Sequence, residues 1–190
     1  MTRIIPLSAI ILWLAALGTG MGIMMESDAR PGLSGLVPEV RYGASVSTGN
    51  ECVVFLHPKC PCARDTLVLL ARMEPHDPRI VRSRIVFIGP SGAEEDWWSG
   101  RNWDLALLVP GASVERDAGG EVARGYGVRT SGHTLVYSAG GSLLFSGGIA
   151  ALSGAFPKDD ATPFVLDTLL RDSAGAPRTR PVRGCPLFDE

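Results

Sequence analysis

Short hydrophobic runs alternate along the chain with segments of helical periodicity. Residues 53–56 have the length and composition of a buried strand, and a helical pattern over 62–73 follows them directly. The pattern then predicts a strand at 84–89, a short helix at 94–98, a strand or part of a helix at 104–109, a short helix at 121–126, strands at 133–138 and 142–146 around an Ala139-Gly140-Gly141 turn, and a helix from Thr162 to about 170. A βαβ opening, a hairpin and a closing helix indicate an α/β sandwich, in which helices flank a central mixed sheet.

An apolar stretch precedes this pattern at the N-terminus. Residues 4–25 carry no charge, with Arg3 before them and Glu26 after them. The length suits one membrane-spanning helix, and the positive flank predicts a globular part outside the cytoplasm. A cleaved signal peptide is the alternative, since Ala15-Ala16 leaves room for a cleavage site.

The length and charge of the chain limit its organisation and partners. Its 190 residues leave room for one ordinary domain with extensions. We expect an anchor or signal peptide at 1–25, a Gly-, Pro- and Ser-rich tether at 26–50, the α/β domain at 51–172 and a tail at 173–190. The net charge is −2 and no basic stripe is present, so no nucleic-acid partner is expected.

Two cysteines lie in the break between the first strand and the first helix. Cys60 and Cys62 fall at or near the helix N-terminus, where unpaired N–H groups and a partial positive charge favour a thiolate. Lys59 and Arg64 add positive charge, which also favours the thiolate. We therefore expect these cysteines to exchange disulfides with protein thiols or disulfides, with Cys60 attacking because it is predicted to lie nearer to solvent.

This junction resembles the active site of the thioredoxin-like superfamily, in which a strand runs into a cysteine-containing turn and a long helix. The motif Cys60-Pro61-Cys62 is one residue shorter than the usual Cys-x-x-Cys. Exported members of the superfamily carry a Val-x-x-x-Pro-Thr pattern whose cis-proline loop lies against the cysteines. The matching run is 128–134, with Gly132 at the proline position. The resemblance implies a thioredoxin-like sandwich in which the loop Ser131-Gly132-His133 faces the site.

Four segments are similar to a smaller group, the membrane-anchored RedB-type proteins with a thioredoxin-like domain. They are residues 57–62, 130–133, 144–149 and 184–188, and the similarity covers about residues 51–188. The chain departs from the group at 150–156, where other members carry a Gly-His-containing stretch. The resemblance implies a single-pass membrane protein with a thiol–disulfide site. No cofactor-binding signature is present in the sequence.

Two other functions stay open at this point. Two thiolates from Cys60 and Cys62 with the imidazole of His133 would suit Cu(I), so a copper-handling protein is the alternative. A structural role for His133 is equally compatible with the sequence. A redox-inactive thioredoxin-like binding module is a third hypothesis.

The remaining cysteines allow several arrangements. Cys52 begins the first strand, and Cys185 lies in a Pro- and Arg-rich tail. A structural Cys52–Cys185 disulfide would pin that tail to the sheet. Alternatively, Cys185 reaches the active turn as a third thiol, or Cys52 is a buried thiol that packs as a small apolar residue.

Overall fold

The computed structural model describes residues 7–29, 32, 35–42, 49–73, 80–150 and 176–188. The chain divides into two compact units, residues 1–30 and residues 31–190. The first unit contains helix α1 (Leu7–Ala29), whose side chains are exposed over 8–22. Within the described ranges, no helix combines the length and the hydropathy needed to cross a membrane, so the predicted span is not confirmed.

The second unit is built on a mixed sheet. In the described part of the chain, its strand order is β3-β2-β1-β4-β5-β6. The strands are β1 (Asn50–Leu56), β2 (Ile80–Gly89), β3 (Ser113–Ala118), β4 (His133–Tyr137), β5 (Leu143–Gly148) and β6 (Arg178–Thr179). β1, β2 and β3 are parallel, β4 is antiparallel to β1 and to β5, and β6 is parallel to β5. The helices are α2 (Ala63–Met73), α3 (Glu95–Trp98), α4 (Arg101–Leu107) and α5 (Glu121–Gly125).

Both faces of β1 are buried, because its side chains alternate between two hydrophobic cores. Val54 and Leu56 belong to the core that also contains Leu67 and Leu70 of α2. Val53 and Phe55 belong to the opposite core, which contains Ala123 of α5. Helices therefore flank a mixed sheet, with the predicted βαβ opening and antiparallel hairpin.

The described elements decide one ambiguous prediction and add an edge strand. The segment 104–109, predicted as a strand or part of a helix, lies mostly in α4. β3 was not predicted, because an edge strand of sequence Ser-Val-Glu-Arg-Asp-Ala is charged and half-exposed and lacks a hydrophobic run. The helix predicted from Thr162 lies outside the described residues.

Part of the predicted tether is bound to the sheet. The backbone N–H of Arg41 donates to the carbonyl oxygen of Gly141 at 2.9 Å, and the N–H of Leu143 donates to that of Glu39 at 2.8 Å. The Arg41 side chain is buried and forms an ion pair with Glu51 of β1. A buried arginine can keep its charge only with such a partner, so this pair fixes the segment to the first strand.

Replacing Arg41 with methionine is expected to lower the free energy of unfolding by about 3 kcal/mol, because Glu51 would stay buried without its nearest cation. The side chains of Arg41 and Glu51 are only 5% and 9% exposed, and the guanidinium of Arg84 is 3.8 Å from Glu51. Urea unfolding measures the change. Glu95→Gln is the control, since Glu95 is 79% exposed and its pair with Arg116 should contribute little. An unchanged midpoint for Arg41→Met would contradict this account.

Candidate active site

The cysteine pair lies where β1 ends, at the edge of the sheet that the carboxyl ends of the parallel strands share. Two consecutive turns lead into α2, because the N–H of Cys60 donates to the carbonyl oxygen of His57 at 3.1 Å and the N–H of Ala63 donates to that of Cys60 at 3.2 Å. The Asn102 amide donates to the carbonyl oxygens of Pro58 and Cys60 at 2.8 and 2.9 Å. Asn102 of α4 thus fixes the turn through these two hydrogen bonds. No motif in the sequence identified Asn102 as part of the site.

The two cysteines differ in exposure, and the order is the reverse of the prediction. Cys60 is only 1% exposed and packs in the core beneath α2. Cys62 is half-buried at the start of that helix. The prediction that Cys60 lies nearer to solvent was wrong, because the two turns direct Cys60 inward before the helix begins.

Hydrogen bonds converge on the sulfur of Cys60. Burial alone raises the pKa of its thiol, but donors on Cys185, Ser131 and Cys62 outweigh burial and hold the pKa below its ordinary value. The Ser131 hydroxyl accepts the N–H of His57 at 2.9 Å, which leaves its own proton to donate to the sulfur. These hydrogen bonds therefore favour the thiolate form of Cys60.

Lys59, whose positive charge was expected to favour the thiolate, contacts an aromatic ring instead. The ammonium group of Lys59 lies 4.3 Å from the centre of the Trp97 ring, which is a cation–π contact. The pKa of Cys60 is lowered by hydrogen bonds rather than by this charge. The pKa of Cys60 is thus lowered in the predicted direction, for a different physical reason.

Cys185 is the third thiol at the site, as one of the alternatives anticipated. The pKa of Cys185 is raised to about 12. Burial is the largest cause, followed by the hydrogen bond to Cys60 and by the negative charges of Cys60 and Cys62. Its proton therefore remains in place while the Cys60 sulfur ionises. Each half of the Cys60–Cys185 pair stabilises the protonation state of the other.

Cys52 is remote from these three sulfurs. It lies opposite Val136 and Ser83 in the sheet and is fully buried. Four residues separate it from the end of β1, which is about 13 Å of extended strand. The structure therefore does not bring Cys52 to Cys185, and all four cysteines are thiols. Cys52 packs as a small apolar residue, which was the other alternative for this position.

The structure also separates His133 from the cysteines. His133 pairs with Phe55 across the sheet and shares its face, whereas Cys60 packs on the other face. Its Nε2 is 2.9 Å from the hydroxyl oxygen of Ser146, and its buried Nδ1 has no hydrogen-bond partner. The predicted ligand set of Cys60, Cys62 and His133 does not assemble, because strand alternation directs the imidazole away. Among the described residues, no group of three His, Cys, Asp or Glu side chains is arranged to hold a metal.

The other two residues of the predicted loop lie against the site. The N–H of Gly132 donates to the carbonyl oxygen of Phe55 at 2.8 Å, which fixes the loop to the end of β1. Gly132 has φ of +89°, a conformation that other residues rarely adopt. The described residues contain no cis peptide bond, so glycine shapes this loop without one.

A groove of about 350 Å³ runs beside the active turn. His57 and Trp97 line it near the turn, and Arg124 and Phe188 line it farther away. The Arg124 guanidinium lies 4.3 Å from the Phe188 ring centre. Aromatic rings and the guanidinium of Arg124 are thus among the groups that line this concave surface.

Comparison with known proteins supports the fold. No family model matches the chain, and no curated protein matches it significantly. The hypothetical protein SMc02350 from Sinorhizobium meliloti 1021 superposes with a TM-score of 0.58 at 16% identity, covering 83% of this chain and 93% of that one. The exposed lipoprotein thioredoxin Etrx1 of Streptococcus pneumoniae has a TM-score of 0.45 at 18% identity, covering 65% and 87%. Copper-bound ScoI of Bradyrhizobium japonicum has a TM-score of 0.42 at 12% identity, covering 66% and 87%. At such identities the similarity concerns the fold alone and not the chemistry.

The Cys60 thiol should ionise at lower pH than an ordinary cysteine, and Ser131→Ala should move that ionisation to higher pH because one donor is removed. Ultraviolet absorbance of the thiolate as a function of pH measures both effects. Cys60→Ala should remove the low ionisation, and Cys52→Ala should leave it in place. An ionisation that Ser131→Ala does not move would show that the hydroxyl is not a donor.

His133 should make the domain less stable in acid. Burial lowers the pKa of His133 to about 4, so the folded state keeps the ring neutral while the unfolded chain binds a proton near its ordinary pKa of about 6.5. The stabilisation is present above the unfolded pKa and is lost as the pH falls towards the folded pKa. Between neutral pH and about pH 4, wild type should lose about 3 kcal/mol more than His133→Gln in urea unfolding. Parallel pH profiles would count against a buried neutral imidazole.

Proposed function

We propose that the protein is a membrane-tethered thiol–disulfide oxidoreductase of the RedB type, acting outside the cytoplasm on protein thiols or disulfides. The observation that carries this proposal is the set of donors around the Cys60 sulfur. Donors on Ser131, Cys62 and Cys185 have no structural need to meet at one sulfur unless it bears charge. A low-pKa thiol beside a half-exposed one has the chemistry that disulfide exchange requires.

The difference in exposure between Cys60 and Cys62 supports a separate role for each. The Cys62 sulfur, as a thiolate, attacks a partner disulfide R–S–S–R′, forming Cys62–S–S–R and releasing R′S⁻. The Cys60 thiolate then attacks the Cys62 sulfur, forming the Cys60–Cys62 disulfide and releasing RS⁻. Two electrons pass from the protein to the partner, whose two thiolates take protons from water. The reverse sequence oxidises a dithiol partner. The groove beside His57 and Trp97 provides room for the partner chain.

The apolar N-terminal stretch tethers this domain to the membrane. Residues 4–25 lack charge, and the large side chains of α1 are exposed, among them Leu12 at 76% and Trp13 at 64%. Arg3 on the N-terminal side favours an orientation with the globular unit outside the cytoplasm. Such a compartment would permit disulfide chemistry.

Copper handling is the alternative that receives less support. It requires ligands that converge, and the imidazole of His133 lies on the opposite face of the sheet from Cys60. A redox-inactive binding module would explain the groove but leaves the donors around Cys60 without a purpose. Disulfide exchange accounts for both features.

Reduction of insulin disulfides by the full chain in detergent tests the proposal, with a thiol reductant to regenerate it. Cys60→Ser and Cys62→Ser should each reduce the rate to the uncatalysed background, because attack and resolution need one sulfur each. Cys52→Ala is the matched control, since this thiol lies in the core at the other end of β1, and it should retain the wild-type rate.

Activity that survives in the Cys60→Ser, Cys62→Ser double variant would refute the assignment. Wild-type protein that neither reduces insulin nor forms a disulfide with glutathione disulfide would support the binding-module alternative. Cu(I) uptake by the reduced wild type, lost in the double variant and without exchange activity, would support copper handling.

A further inference from the structure

The C-terminal tail is paired with the loop that faces the cysteines. The N–H of Ser131 donates to the carbonyl oxygen of Cys185 at 2.9 Å, and the N–H of Leu187 donates to that of Arg129 at 2.9 Å. Thr130 and Pro186 form a bridge between these two bonds. The main chain on both sides of Cys185 is therefore fixed against the 129–131 loop.

Further contacts hold the tail before it reaches the loop. β6 pairs with β5, and the N–H of Gly32 donates to the carbonyl oxygen of Val182 at 2.7 Å. Val182 and Leu187 are buried on either side of the cysteine. Gly184 approaches the loop so closely that an added Cβ would collide with the carbonyl oxygen of Ser131. These contacts hold the segment that carries Cys185, whose thiol is hydrogen-bonded to Cys60.

We propose that Cys185 is a third redox cysteine, which takes over the disulfide from Cys62 so that the stable oxidised form of the site is a Cys60–Cys185 bond. This inference rests on the proposed oxidoreductase function, and it adds the cysteine that completes the cycle. Cys62 then serves as the thiol that meets the partner, while Cys60 and Cys185 hold the oxidising equivalent.

The transfer is a single exchange step. Once Cys60 is in the Cys60–Cys62 disulfide, its negative charge no longer opposes ionisation of Cys185. Cys185 loses its proton and attacks the Cys60 sulfur as a thiolate, so that the Cys60–Cys185 bond forms and the Cys60–Cys62 bond breaks. The proton of Cys185 passes to the departing Cys62 sulfur, which becomes a thiol again. No electrons leave the protein, so no further oxidant is needed. The driving force is geometric, because a bond that spans only Pro61 is tight and one between two distant segments is not constrained in that way.

The location of the disulfide tests the proposal directly. The full chain in detergent is equilibrated with glutathione buffers, its thiols are trapped by alkylation, and its disulfide-linked peptides are identified by mass spectrometry. Oxidised wild type should contain the Cys60–Cys185 bond and an alkylated Cys62. Cys185→Ala should instead show the Cys60–Cys62 bond, and its equilibrium constant for oxidation should fall at least about tenfold, which corresponds to ~30 mV.

A glycine variant tests whether the position of the Cys185 thiol matters when the thiol itself is still present. Gly184→Ala keeps all four cysteines but displaces the tail, so its equilibrium constant should shift in the same direction as that of Cys185→Ala. Gly140→Ala is the matched control, because the nearest atom to an added Cβ there is the Ser138 hydroxyl oxygen at 3.8 Å. This control should keep the wild-type linkage and equilibrium constant.

The outcomes distinguish this inference from the function on which it rests. A wild-type protein that reduces insulin but contains only the Cys60–Cys62 bond, or a Cys185→Ala variant with an unchanged equilibrium constant, would overturn the role of Cys185 alone. A wild-type protein that forms no disulfide at any glutathione ratio would overturn both. The Cys60–Cys185 linkage in wild type, lost in Gly184→Ala and kept in Gly140→Ala, would establish the role.

Discussion

The lowered pKa of a buried thiol, that of Cys60, is the constraint around which this site is arranged. Removing a thiolate from water raises its free energy, and only hydrogen bonds from fixed donors offset that cost. Donors on Cys62, Ser131 and Cys185 meet this requirement at Cys60. Burial therefore opposes ionisation of the Cys60 thiol, and the hydrogen bonds at the same sulfur favour it.

The donors come from three segments that are far apart in the chain. Cys62 belongs to the turn after β1, Ser131 to the loop before β4, and Cys185 to the tail. Glycines allow the loop and the tail to approach, since Gly132 adopts a positive φ and Gly184 leaves no space for a side chain. The site is thus complete only when the tail is docked, which links tail binding to the acidity of Cys60.

Cys60 and His133 lie on opposite faces of the sheet. The thiols lie on the side of α2, whereas His133 occupies the opposite core as a neutral ring bonded to Ser146. Ser131 and His133 have unrelated roles, because the chain turns at Gly132, whose φ is +89°, before β4 begins at His133. A histidine next to a reactive loop is not by itself a ligand.

The sequence by itself determined the strand–turn–helix that carries Cys60 and Cys62, and the hairpin at 133–148, because hydrophobic spacing and turn residues act locally. It did not determine which cysteine is buried, since that depends on Asn102 reaching the turn from α4. Periodicity also missed β3 and β6, a charged edge strand and a two-residue strand that exist only by pairing with neighbours. The sequence also left the contact partner of Cys185 undetermined, because that contact depends on residues far apart in the chain. Contact between residues 60 and 185 is a long-range property of the packed chain, and only the tertiary structure decided it.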